Sequence, residues 1–199
     1  MRIIAGKFRS RQLKSLKGLN LRPTSDRLRE TLFDILGNLV VDCCFIDAFA
    51  GTGAVGIEAL SRGARHAIFI EKHAKAAALI KQNLVSLQIR AGARVLPVDV
   101  LHGLQTLADE NAPANEPLQI VFLDPPYEHA LDYDRVLSFL GTAPFLREGA
   151  LVIAEHRRSF GLPEIIDKLH CVRVLRQGDA ALTFYRSLPN VLPDHPVAQ

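Results

Sequence analysis

The stretch Cys44-Phe45-Ile46-Asp47-Ala48-Phe49-Ala50-Gly51-Thr52-Gly53-Ala54-Val55-Gly56 starts as a short apolar run and turns abruptly into a glycine-rich loop. An apolar run of this length, bounded by a turn signal, predicts a buried parallel strand over 44–48. Gly51, Gly53 and Gly56 keep the G-x-G-x-x-G spacing between that strand and a helix predicted over 54–62. Glycine is required there because the backbone must turn tightly and come close to a ligand. A strand, a glycine loop and a helix in this order open a doubly wound α/β sheet.

Working outward, the same alternation continues. Strands are predicted at 67–71, 93–98, 119–123 and 150–155, and helices at 74–87, 101–110 and 134–140. Upstream, Thr24 or Ser25 can cap a helix reaching Asn38, in which Leu28, Leu32, Ile35, Leu36 and Leu39 recur at helical spacing. Downstream, a helix over 163–169 precedes strands at 171–176 and 180–186, and Gln177-Gly178-Asp179 between them suits a hairpin turn. Five β/α alternations and a terminal hairpin predict an α/β fold: a mostly parallel, doubly wound sheet whose last pair breaks the parallel pattern.

Acidic residues fall at successive strand ends. Glu71 closes the second strand 18 residues after Gly53, near the spacing of a carboxylate that grips a ribose hydroxyl pair. That feature suits either NAD or S-adenosylmethionine. Asp47, just before the loop, can face an ammonium group directly or through water, whereas a pyrophosphate is repelled by it. Asp99, ending the third strand, is placed to accept from an adenine amine. After the fourth strand comes Asp124-Pro125-Pro126-Tyr127. Two prolines hold this turn extended and remove two N–H donors. What remains is the Asp124 carboxylate, the Pro125 carbonyl and the Tyr127 ring, an acceptor site for the exocyclic amine of a flat nucleobase. Together these groups favour S-adenosylmethionine over NAD.

The 199 residues suit one domain with a sizeable core. At 48% hydrophobic residues, and without a long uncharged apolar run, the chain reads as soluble, non-membrane and cytoplasmic. Cys43, Cys44 and Cys171 lack zinc spacing and read as structural, and no histidine pair has metal-ligand spacing. Residues 1–31 hold nine Lys/Arg against two acids, while the remainder holds 15 basic and 19 acidic groups. This basic arm on a mildly acidic body predicts a polyanion contact. Its partial alternation, Lys7-Phe8-Arg9-Ser10-Arg11-Gln12-Leu13-Lys14, predicts a small hairpin.

With these residues in hand, the chain resembles the class I S-adenosylmethionine-dependent methyltransferases, and more narrowly the bacterial RsmD family of 16S rRNA (guanine-N2)-methyltransferases. The resemblance covers Arg2-Ile3-Ile4-Ala5-Gly6, the segment from Leu21 to Phe33 containing Arg22-Pro23-Thr24 and Arg29-Glu30-Thr31-Leu32-Phe33, the glycine loop through Gly63, and Asp124 to Tyr127. It implies a Rossmann-like sheet of seven strands and an N-terminal extension over 1–23 that helps to hold RNA. The methyltransferase domain then spans 24–187, with a loose tail at 188–199. It further implies cofactor contacts at Asp47, Phe49, Ala50, Gly51, Gly53, Glu71, Lys72, Asp99, Val100 and Asp124. Catalytic roles fall to Asp124, Pro125 and Tyr127, and RNA contacts to Arg2, Lys7, Arg9, Arg11, Arg22, Thr24, Arg27 and Arg29. The implied substrate is 16S rRNA in a small-subunit particle. A monomer is the simplest expectation, and the lack of metal-ligand spacing predicts that no metal is needed. A methyltransferase for adenine N6 shares the acceptor turn but usually adds a recognition domain. An RNA-binding assembly factor would keep the fold without turnover.

Overall fold

The computed structural model describes residues 1–15, 25–111, 118–125 and 130–189. Expectations placed on Arg22, Thr24, Pro126, Tyr127 and the tail beyond Pro189 lie outside the described residues. Strand β1 (Cys44–Asp47) is buried at every position, as its unbroken apolar run requires of a strand paired on both edges and covered on both faces. It pairs in parallel with β2 (His66–Ile70) on one side and β4 (Gln119–Leu123) on the other. Beyond them lie β3 (Ala93–Leu96), parallel to β2, and β5 (Leu151–Arg157), parallel to β4. The chain thus builds outward from β1 to β3 and starts again at β4. The carboxyl ends of β1 and β4 therefore flank the point where the winding reverses, the place where open α/β sheets bind ligands.

Alternation along the strands splits the core between two faces. Ile46, Ile68 and Val121 pack with α4 (Val100–Asp109) and α5 (Ala130–Thr142). Phe45, Ile120 and Phe122 pack with α1 (Asp26–Leu36), while Ala67 and Phe69 pack with α2 (Ala54–Ser61) and α3 (Ala74–Ser86). Gly56 is demanded by this packing, since a Cβ there would sit 2.4 Å from the Phe69 ring. Ser25 caps α1, its Oγ accepting from the Leu28 N–H at 3.1 Å.

The C-terminal hairpin of β7 (Leu169–Gln177) and β8 (Ala180–Ser187) closes the sheet, with β8 antiparallel to β5. The segment 163–169 differs from expectation. Predicted as a helix, it instead contains β6 (Ile165–Ile166), paired antiparallel with Leu169 and His170. Adjacent β-branched residues after Pro163 favour extended chain, and Asp167 turns the chain back at φ 50°. Among the described residues the sheet therefore has eight strands, in the order β3-β2-β1-β4-β5-β8-β7-β6.

The basic arm is a loop closed by an Arg2–Gln12 antiparallel bridge and laid on α2 and α3. Ile3 and Leu13 are buried with Ile57 and Leu84, while Arg2, Lys7, Arg9, Arg11 and Lys14 remain exposed. Its anchor is Glu58, which is 0% exposed. Glu58 accepts from the backbone N–H of Ile4 at 2.8 Å and of Ala5 at 3.0 Å, and from Arg62 Nε at 2.9 Å. Ser61 adds bonds to the chain at Lys7 and Phe8. Gly6, at φ 79°, has no room for a side chain, because a Cβ would fall 1.9 Å from the Ser61 carbonyl oxygen.

Arg29 corrects a sequence expectation. Rather than reaching RNA, it is 0% exposed and donates to the Arg2 carbonyl at 2.7 Å and to Asp26 at 3.0 Å, with Glu58 at 3.9 Å from its Nε. It locks the arm to α1. Arg27, two residues earlier, is exposed.

Removing one member of a buried charge group strands its partners. Glu58→Ala should lower unfolding free energy by about 3–5 kcal/mol and speed tryptic cleavage within residues 7–14. Denaturant melts and limited proteolysis check this, and wild-type values in both would show that Glu58 does not anchor the arm.

Candidate active site

The loop from Ala48 to Gly53 leaves β1 between the ends of β2 and β4. The Ala48 N–H donates to the Phe122 carbonyl at 2.9 Å, and the Ala50 N–H to the Ile70 carbonyl at 3.0 Å. These bonds place Glu71 on one side of the loop and Asp124 on the other. Gly51 and Gly53 take φ of 53° and 77°, a left-handed backbone that glycine adopts without strain. A Cβ on Gly51 would meet nothing closer than the Phe49 carbonyl oxygen at 4.0 Å, so the loop has open space beside it.

Two carboxylates shape this loop. Glu71 is 7% exposed, and its Oε2 accepts from the Gly51 N–H at 2.8 Å while Oε1 accepts from the His73 N–H at 2.7 Å. An ionised carboxylate offers about four acceptor sites, so Glu71 keeps capacity for a pair of hydroxyls while bracing the loop. Asp47 is 2% exposed, and its Oδ2 accepts from the Gly56 N–H at 2.9 Å in the first turn of α2. Through that oxygen it supports the loop from beneath. Burial, with a smaller contribution from the nearby Glu71 charge, pushes its carboxyl up to about 7.

The remaining residues take different positions along the same edge. Asp99 is exposed and caps α4, its Oδ1 accepting from the Leu101 N–H at 3.1 Å, and Val100 behind it is buried. Phe49 is half-buried against the α4/α5 core, and Ala50 is buried beside Ala54. Lys72 is exposed. Asp124 follows β4 directly and is half-buried, with Pro125 buried behind it.

One contributor escaped sequence reading. Asn83, on α3 and 0% exposed, accepts from the Lys14 N–H at 2.9 Å and donates to the carbonyls of Lys14 at 3.2 Å and Thr52 at 3.4 Å. A single buried amide thus ties the basic arm to the glycine loop. Its only signal in the sequence was a polar residue at a position where helical spacing calls for an apolar one.

Sheet order, with a glycine loop after the first strand and an acid after the second, is that of a Rossmann-like, S-adenosylmethionine-dependent methyltransferase. The chain belongs to the RsmD family, whose model, described as Conserved hypothetical protein 95, matches residues 1–186. It is 36% identical over 186 residues to the Ribosomal RNA small subunit methyltransferase D of Escherichia coli strain K12, covering 94% of this chain and 89% of that protein. The protein of the same name from Haemophilus influenzae is 38% identical over 157 residues, 78% of each chain. Among solved structures, yhhF from Escherichia coli superposes with a TM-score of 0.77 at 31% identity, covering 94% of this chain and 98% of that one.

The raised Asp47 carboxyl sets a sign for stability against pH. The folded state holds that proton more tightly than the unfolded chain, so the stabilisation is complete below about pH 4 and is lost as pH rises to about 7. Asp47→Asn, neutral at every pH and still able to accept from Gly56, should flatten this dependence. Urea midpoints between pH 5 and pH 8 should fall for the wild type relative to the variant. Parallel profiles would mean that Asp47 is ionised throughout.

Proposed function

We propose that the protein transfers a methyl group to the N2 amine of one guanine in 16S rRNA, presented on an assembled small-subunit particle. The family supports methylation of ribosomal RNA as the activity, and its members above carry the small subunit in their names. The observation that carries the finer reading is the position of Asp124 and Pro125 directly beyond β4, across the loop from Glu71. A base amine brought there meets acceptors and an adjacent cofactor loop together.

The residues present suit the cofactor. Glu71 would hold the ribose, the backbone of Phe49 to Gly53 would follow its length, and Asp99 with Val100 would receive the adenine. When bound, S-adenosylmethionine supplies a methyl group activated on a sulfonium. A guanine amine is a weak nucleophile because its lone pair is delocalised into the ring. Asp124 and the Pro125 carbonyl accept its two N–H bonds, which turns the lone pair out of conjugation and toward the incoming carbon. The Asp124 charge would stabilise the positive charge growing on nitrogen as the N–C bond forms and the C–S bond breaks, and one amine proton would then leave to the Asp124 carboxylate or to water. The base must leave its stack to reach this turn, at a cost of a few kcal/mol, and Tyr127 would stack on it. Catalysis is then alignment and electrostatics, and needs neither a metal nor a second copy of the chain.

Asp124→Ala should slow methyl transfer to small-subunit particles by about 100-fold or more while leaving cofactor affinity within about threefold, since Glu71 and the loop are untouched. Single-turnover assays with calorimetric titration of the cofactor decide it. Turnover near wild type would remove Asp124 from catalysis.

A further inference from the structure

We propose that Arg157, Arg158 and Ser159 form a second contact for RNA backbone phosphates, on the opposite side of the Asp124 turn from the basic arm. The inference rests on RNA being the substrate, as proposed above. Strand β5 runs parallel beside β4 with Leu123 opposite Ala154, and it continues to Arg157 where β4 has already ended. Residues 157–159 therefore emerge at the same carboxyl edge as Asp124, one strand further from β1. The arm lies the other way, over α2 and α3. The sheet order puts the acceptor turn between the two.

This corner is built rather than merely charged. Arg157, Arg158, Ser159 and Asp179 line a recess of about 650 Å³. The Arg157 carbonyl oxygen accepts from the Phe160 N–H at 2.9 Å and contacts His156 Nδ1 at 2.9 Å, and the Arg158 N–H donates to the Asp179 carbonyl at 2.8 Å. His156 is itself held through Nε2 to Thr183 at 2.8 Å. The turn that carries both arginines is thus fixed before any ligand arrives, which lowers the ordering cost of binding. Beyond residue 31 acids outnumber cations, 19 to 15, so the adjacent exposed pair Arg157-Arg158 departs from the body's charge. Guanidinium groups bind phosphate in paired hydrogen bonds, and the Ser159 hydroxyl adds another donor. A nucleotide extruded into the acceptor turn would have its flanking backbone held on one side by the arm and on the other by this corner.

Binding of unmethylated small subunits, measured by filter retention across a salt series, tests the site. Arg157→Ala/Arg158→Ala should weaken binding about tenfold or more and flatten the slope of log affinity against log salt by about two, with cofactor affinity unchanged. Asp179→Asn, which removes the acid from the recess, should shift affinity the other way. A double variant that keeps wild-type affinity and slope, or an Asp179→Asn variant that binds no tighter, would overturn the second contact while leaving the proposed activity standing. Wild-type protein that neither binds nor methylates the particles would overturn both.

Discussion

The carboxylate of Glu58 is the interaction on which the arrangement depends. It is enclosed on α2, the helix that begins at the glycine loop, and it satisfies two backbone N–H groups of the arm and the Arg62 side chain. Arg29 completes the cluster from α1. A charge taken out of water is tolerated only with such partners, so arm, α1 and α2 must assemble together or not at all. The outcome is a row of exposed cations held at a fixed place beside the glycine loop, with Asn83 closing the link between them.

Along the carboxyl edge, four acids at four strand ends have divided their work. Asp47 sits below the loop and fixes the start of α2. Glu71 braces Gly51 from the side with acceptor capacity to spare. Asp99 caps α4 at the surface. Asp124 lies past the end of β4, across the winding reversal from Glu71. Burial decides the first role and exposure the third, and neither can be inferred from the residue type.

Most of the fold was legible because the parallel strands are short apolar runs, each followed by a helix of clear period. The starts of α2 and α3 fell where they were expected, whereas α5 begins four residues before the expected 134. The segment 163–169 misled because Leu162, Ile165, Ile166 and Leu169 imitate helical spacing, whereas local stiffness at Ile165-Ile166 and pairing with β7 decide for a strand. Around the site, the glycine loop and strand-end acids were readable from spacing alone. Arg29 was not, since a basic residue in a basic segment looks solvated until the fold buries it against Glu58. The exposed Arg157 at the end of β5 was also hidden, because nothing local shows that β5 runs on past the end of β4.

The central claim concerns one atom of one class of base. Small subunits lacking the modification, incubated with the protein and methyl-labelled S-adenosylmethionine and then digested to nucleosides for mass spectrometry, identify that atom directly. A single N2-methylguanosine per particle is the expected product. Label recovered as N6-methyladenosine, or no label in the particle at all, would contradict it.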